Sequence, residues 1–304
     1  MGIETKIEWA DDSVNIWWGC THRGTGCLNC YAEKLTERFH PSESFWGPNA
    51  PRLYCKDWKK NLRKIEKLAQ SDGKRRMVFV NSMSDFFEDS RPLVVKGGGP
   101  AMFENRLVST TGDARREFFQ VADAMSNSVV LLLLTKRPEN VRQMIPWFDN
   151  GASESSSNFL AWRWRSNVWL GTSVACRADV HNIDELRKCK ELSSKLFVSF
   201  EPLVEDVGDD VDLTGIDWAI IGGESGENAR MFSIGWCRKL IKRARECGCS
   251  PFMKQAGANV LGVNVGWPEG TIIPPIGGKV KLRHPKGGDP LEWPEDIRVR
   301  EIPG

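Results

Sequence analysis

Short apolar runs recur along the chain, each ending in a polar cluster and leading into a helical pattern. The runs fall at 14–18, 77–81, 129–134, 168–171, 196–200, 218–221 and 251–253. They are rich in β-branched and aromatic residues and are apolar on both parities, as strands covered on both faces of a parallel sheet read. Between them, Trp58, Leu62, Ile65 and Ala69 follow a helical spacing, as do Phe118, Ala122 and Met125. Cys237, Leu240, Ile241 and Ala244 also share one helical face. Alternating strands and helices predict βα units. Seven such units predict an α/β fold, a partial or complete parallel (β/α) barrel. The G-x-G-x-x-G fingerprint follows none of the strands, which counts against a dinucleotide-binding sheet.

Two stretches break the rhythm. Residues 92–112, with Gly97, Gly98, Gly99 and Pro100, read as a loop insertion, and 150–158 is Ser-rich and reads as flexible. The second insertion is taken to extend over 150–165. After Gln255 the pattern stops, Gly and Pro rise, and brief alternations such as 279–283 suggest a hairpin. The predicted organisation is a barrel domain over 1–256 and a small C-terminal appendage over 257–304.

Composition narrows the class. The chain has 304 residues, 40% hydrophobic and 27% charged, which excludes a disordered or fibrous protein. Its longest clean apolar run, 129–134, is far short of the ~20 residues a membrane helix needs. The N-terminus lacks a basic start followed by an apolar core, so no secretory signal is expected. Nine cysteines then point to a reducing cytoplasm and to thiol or metal chemistry. The net charge of +2 is not that of a protein gripping duplex DNA by electrostatics alone. Locally, 56–76 carries nine Lys/Arg against three acids, and 238–245 carries five and none. Such runs read first as solvated helix faces and second as polyanion-facing patches. The 13 tryptophans are expected mostly in the core or in groove walls.

Cys20, Cys27 and Cys30 form a C-x6-C-x2-C cluster just after the first strand, with Gly19, Gly24 and Gly26 to let the loop wrap and a helix starting near Tyr31. Three thiolates on one loop suit a metal or Fe–S site, and on a four-iron cluster they leave one iron open. A closed zinc site on Cys20, His22, Cys27 and Cys30, and three buried cysteines with no ligand, are the alternatives. The other six cysteines form no second motif; Cys247 and Cys249 read as helix-end packing.

In a parallel barrel the chemistry gathers at the C-terminal ends of the strands. Those ends carry Ser82, Ser84 and Asp85, then Lys136 and Arg137, Ser173, Glu201, Glu224, and Lys254 with Gln255. A mouth lined with both signs suits a zwitterion such as S-adenosylmethionine. Asp85 or Glu201 would take its ammonium, Lys136 or Arg137 its carboxylate, and Ser82, Ser84 or Ser173 its hydroxyls. Gly222 and Gly223 would let backbone approach a ligand. Lys136, Glu201, Glu224 and Lys254 are the catalytic candidates.

These residues carry a resemblance. Ile7-Glu8-Trp9, the cysteine loop with Tyr31-Ala32-Glu33, Asn81-Ser82-Met83-Ser84-Asp85, Thr135-Lys136-Arg137-Pro138, Val168-Trp169-Leu170-Gly171, Ser199-Phe200-Glu201-Pro202 and Gly222-Gly223-Glu224-Ser225-Gly226 resemble the phage-associated three-cysteine-motif proteins, over roughly 5–256. That family is similar to radical S-adenosylmethionine enzymes. The resemblance implies a partial barrel of radical-SAM type, a [4Fe-4S] cluster on Cys20, Cys27 and Cys30, and S-adenosylmethionine on the open iron. It further implies reductive cleavage to a 5′-deoxyadenosyl radical, an electron donor such as flavodoxin or ferredoxin, and the cytoplasm of a phage host as location. The usual spacing of such enzymes is C-x3-C-x2-C, so the first gap here is longer.

Phage association suggests a DNA substrate, with radical rearrangement of a modified pyrimidine as the reaction. Trp162-Arg163-Trp164-Arg165 reads first as an amphipathic edge strand and second as alternating stacking and phosphate-binding groups, which makes Arg163 and Arg165 the nucleic-acid candidates. A base inside a duplex would have to be flipped out to be reached. A radical enzyme acting on a peptide or small metabolite, and a non-catalytic zinc-stapled nucleic-acid binder, are the alternatives.

Overall fold

The structure is a computed structural model that describes residues 4–97, 100–125, 127–145, 167–262, 266–271 and 279–304. Its main sheet has seven strands: β1 (Asp12–Val14), β4 (Arg76–Val80), β8 (Val129–Thr135), β9 (Val168–Ser173), β10 (Lys195–Phe200), β11 (Trp218–Gly222) and β13 (Ser250–Gln255), hydrogen-bonded in that order. Strands that are parallel and consecutive along the chain have the order of a partial (β/α) barrel. The α/β class and the parallel order therefore agree with the hydrophobic pattern. Three helices begin the series, α1 (Tyr31–Phe39), α2 (Trp58–Asp72) and α3 (Thr111–Asp123).

The chain divides into two compact units. The first comprises Met1–His22, Cys30–Gly171 and Lys188–Lys195. Here β1, β4 and β8 pair in parallel, and α2 packs its apolar face on them. Trp58, Leu62, Ile65 and Ala69 are all buried, as their spacing predicts. Phe86, Phe118 and Phe119 pack edge to face beside Trp17, which stacks on Phe86. Burying a side chain of this size stabilises by roughly 1.5–3 kcal/mol.

The first apolar run is not one strand. β1 ends at Val14, and Trp17–Trp18 (β2) pairs instead with Arg52–Tyr54 (β3) in a separate small sheet. The cause is Asn81, which ends β4 at φ 60° and accepts the Ile16 N–H on its side-chain oxygen at 2.8 Å. That bond takes the place of the next rung of the ladder. The stretch 92–112 is likewise more than a loop. Leu93–Val94 (β5) pairs with β3, and Met102–Phe103 (β6) with Arg106–Leu107 (β7) forms a hairpin. Phe103 from that hairpin stacks on Trp58. Residues 150–165 lie outside the described residues.

The second unit comprises Arg23–Asn29, Thr172–Arg187 and Leu196–Gly304. In it β10, β11 and β13 pair in parallel, with the helix Ile234–Glu246 packed on β11 and β13. Phe232–Ser233 (β12), just before that helix, joins Val260–Leu261 (β14) and Lys279–Val280 (β15), which follow β13, in a three-stranded sheet whose β14–β15 pair is antiparallel. The C-terminal residues then return to the edge of β13. Met253 N–H bonds Val299 O, Glu301 N–H bonds Pro251 O, and Trp218 Nε1 donates to Glu301 O. An otherwise open sheet edge is thus partly covered. No described helix is long and apolar enough to cross a membrane.

Candidate functional site

The cysteine loop begins at Gly19, at φ +102°. A Cβ there would stand 2.2 Å from the Phe45 carbonyl oxygen, so only glycine fits. Gly19 N–H bonds Met83 O, and Cys20 O accepts from Gly47 N–H. The next residue is gripped on three sides. Thr21 N–H donates to Glu88 Oε1 at 2.8 Å, Thr21 O accepts from Arg137 Nη2 at 2.7 Å, and Thr21 Oγ1 accepts from Arg52 Nη2 at 3.0 Å.

Two buried ion pairs stand behind this grip. Arg52 meets Glu88 with two nitrogens at 2.7 and 2.9 Å, and also donates to the Phe45, Ala50 and Gly47 carbonyls. Arg137 Nη1 meets Asp85 Oδ2 at 2.8 Å. The Asp85 carboxylate is shared further, with Thr135 Oγ1 at 2.6 Å, the Phe87 N–H and the Lys136 N–H. The same Arg137 nitrogen lies 4.0 Å from Cys20 Sγ, and the Asp85 N–H also bonds that sulfur. Burial, with the Asp85 and Glu88 charges, pushes the Cys20 thiol up to about 12. A metal ion would have to displace that proton.

Cys30 is the N-cap residue of α1, where the helix's free amides favour negative charge. The next residue, Tyr31, donates to Ser82 O at 2.6 Å. His22 Nε2 lies 2.7 Å from Glu33 Oε2.

In the second unit, Thr25–Cys27 forms a 3-10 turn. Cys27 Sγ accepts the Arg23 N–H at 3.3 Å and donates back to Arg23 O at 3.1 Å. Arg230 Nη1 donates to Thr25 O at 2.7 Å. Its Nε and Nη2 fork onto Glu224 at 2.9 and 2.6 Å, and its own N–H adds a third bond to Glu224. Asn29 Nδ2 donates to Glu224 Oε2 and to Asn228 O, both at 3.0 Å. Burial works to raise the Glu224 pKa. The hydrogen bonds from Arg230 and Asn29, with the guanidinium charge, outweigh burial and hold the carboxyl below its ordinary value. Across the ends of β10 and β13, Glu201 Oε1 meets Lys254 Nζ at 2.8 Å, while Ser199 Oγ donates to Glu201 Oε2. Gly222 lies against this carboxylate, since a Cβ there would stand 2.8 Å from Glu201 Oε1.

The first unit therefore gathers Cys20, Asp85 and Arg137, and the second pairs Glu201 with Lys254 and Glu224 with Arg230. Ser82 Oγ bonds the Asn15 side chain, Ser84 Oγ donates to Trp17 O, and Ser173 is buried with its carbonyl on Asn182. Lys136 contributes its amide to Asp85. Arg163 and Arg165 lie outside the described residues. Arg52, Glu88, Asn29 and Arg230 were missed from sequence. A charged Arg52 in the run Arg52-Leu53-Tyr54 hinted at a buried pair; nothing local marked Arg230. All nine cysteines are free thiols. Among the described residues no group of three or more His, Cys, Asp or Glu side chains is gathered closely enough to hold a metal ion.

Residues 4–96 and 101–268 match the model of a family described as "Protein of unknown function (DUF5131)". The chain belongs to this DUF5131 family. No curated protein matches it. Among solved structures it is similar to a mutant spore photoproduct lyase with dinucleoside spore photoproduct, at 12% identity and a TM-score of 0.38. That match covers 78% of this chain and 61% of the lyase chain, less than two thirds of its length. A likeness at that level carries no weight for what this DUF5131 chain does.

The donor chemistry fits an Fe–S cluster. Three thiols lie on one loop: Cys20 meets Arg137 and the Asp85 N–H, Cys27 meets the Arg23 N–H, and Cys30 is the N-cap residue of α1 without a side-chain bond to its amides. Positive charge and N–H groups work toward the thiolate and tune cluster sulfurs, and at Cys20 burial with the Asp85 and Glu88 charges outweighs them. His22, the fourth candidate for zinc, faces Glu33.

Proposed function

We propose that the chain is a radical S-adenosylmethionine enzyme, with Cys20, Cys27 and Cys30 holding a [4Fe-4S] cluster and DNA as its substrate. The observation that carries the reading is the C-x6-C-x2-C loop with its three free thiols, of which Cys20 lies beside Arg137, Cys27 accepts the Arg23 N–H and Cys30 stands at the N-terminus of α1. When bound, the cluster would supply the electron that cleaves S-adenosylmethionine, drawn from a donor such as flavodoxin or ferredoxin. The chain's own work is position and dryness. Arg137, Glu88 and Arg52 hold Thr21, and Arg230 with Glu224 holds Thr25 and Asn29. The Glu201–Lys254 pair at the strand ends offers both a carboxylate and an ammonium to a zwitterionic ligand.

Support for DNA comes from charge. Lys56, Lys60, Lys64 and Lys67 are exposed at or beside α2, spaced four, four and three. With an axial rise of ~1.5 Å per residue they form a row along one side of the helix.

The test is anaerobic reconstitution. Wild type should hold roughly four irons per chain and release 5′-deoxyadenosine, and Cys27→Ala should lose both. Full iron loading in Cys27→Ala, or a colourless zinc protein, would overturn the assignment. If DNA is the substrate, binding should fall steeply with salt, because each neutralised phosphate releases a counterion. Undetectable binding to single- and double-stranded DNA at low salt would favour a peptide or small metabolite.

A further inference from the structure

We infer that Arg137 is a positioning residue that sets both the place and the electron affinity of the Cys20 corner of the proposed cluster. The inference rests on the three-cysteine reading above and concerns one unit of the fold.

The geometry carries it. Arg137 leaves β8 two residues after Thr135 and is buried. One nitrogen binds Asp85 at 2.8 Å and lies 4.0 Å from Cys20 Sγ. The other binds Thr21 O at 2.7 Å. A single planar guanidinium therefore fixes the backbone after Cys20 and puts positive charge beside its sulfur. The planar fork is a property of arginine that lysine does not share.

The charge has something to offset. Asp85 and Glu88 both act on the Cys20 sulfur as negative charges. Glu88 is neutralised by Arg52, and Asp85 by Arg137 itself. Reducing a cluster adds negative charge, so uncovered carboxylates next to a ligating sulfur oppose it, and a neighbouring cation favours it. Removing Arg137 would uncover Asp85. Cys27 differs: its sulfur accepts the Arg23 N–H and donates to the Arg23 carbonyl.

The experiment compares wild type with Arg137→Gln and Arg137→Lys, all reconstituted anaerobically, using iron content, thermal melts and EPR-monitored redox titration. Arg137→Gln should hold the cluster at a more negative potential. A tenfold fall in the reduced-to-oxidised ratio at fixed potential corresponds to about 59 mV for one electron. Arg137→Lys keeps the charge and should stay closer to wild type. A second measurement needs only folded wild type. With arginine side-chain nitrogens labelled by 15N, pulsed EPR of the reduced cluster should show a coupled guanidinium nitrogen that disappears in Arg137→Lys. If wild type holds no cluster, the functional reading fails and this inference with it. If wild type and Arg137→Gln hold clusters of equal potential, or the labelled nitrogen is silent, the role of Arg137 fails while the three-cysteine reading stands.

Discussion

Arg137 and Arg230 each donate to a carbonyl of the cysteine loop at 2.7 Å, Arg137 to Thr21 and Arg230 to Thr25, and each is paired to a carboxylate. The surroundings differ. The Arg137 and Asp85 side chains are 10% and 7% exposed, and a second buried pair, Arg52–Glu88, grips the same Thr21. Arg230 is 23% exposed, and its partner Glu224 is shared with a side-chain amide, Asn29. The first half of the loop is therefore held by interlocked charges shielded from water, and the second by a forked pair whose arginine water can reach while Glu224, 7% exposed, is as buried as Asp85. Electrostatics weaken with solvent exposure, so the first clamp should be costly to break and the second more forgiving.

The largest effect should come from Arg52→Ala. Arg52 is fully buried, and its loss leaves Glu88 without its cation and removes a donor from three carbonyls at once. Severing a buried pair from one side typically costs about 3–5 kcal/mol. Urea unfolding should show that loss, with Thr21 and Cys20 amides exchanging faster. A change below about 1 kcal/mol would mean water reaches Glu88 readily and the contrast between the clamps is false.

Glu224→Ala should do less. It removes the acceptor for Arg230 and Asn29, but Arg230 can turn to solvent. Hydrogen bonds to charged groups suggest a loss of about 1.5–3 kcal/mol. Hydrogen exchange should rise over 24–29 and stay unchanged over 84–88, in the other unit. Equal acceleration in both stretches would show that the two clamps act as one.

Much of this was legible in the chain. Six of the seven strands of the main sheet fall on the apolar runs, because strands covered on both faces must be apolar throughout. The first run misled because an apolar stretch does not show that Asn81 will take the Ile16 amide and turn the chain away. The hairpin in 92–112 was hidden because two-residue strands carry no periodicity. In the site, the cysteines and the polar strand ends stood out from local sequence. Arg52 and Glu88 did not, since their pairing joins positions 36 apart. Arg230 sits in the loop after Glu224, where a charged residue reads as solvated. Asp85 and Arg137 were visible as strand-end charges, but only the fold shows that they bind each other.

The smallest effect concerns acid. Glu224 has its pKa depressed in the folded protein, by the Arg230 and Asn29 bonds working against burial. A carboxyl depressed on folding adds stability that is present above its unfolded value, near 4.3, and is lost as pH falls through the folded value. The second clamp should therefore weaken on the acid side of about pH 4. Glu224→Gln removes that titration, and Gln can still accept from Arg230 through its amide oxygen. Urea midpoints of wild type and Glu224→Gln should differ at pH 7 and converge as pH is lowered below about 4. A gap that stays constant from pH 7 to pH 3 would show that the Glu224 charge adds nothing and that the clamp works through neutral hydrogen bonds alone.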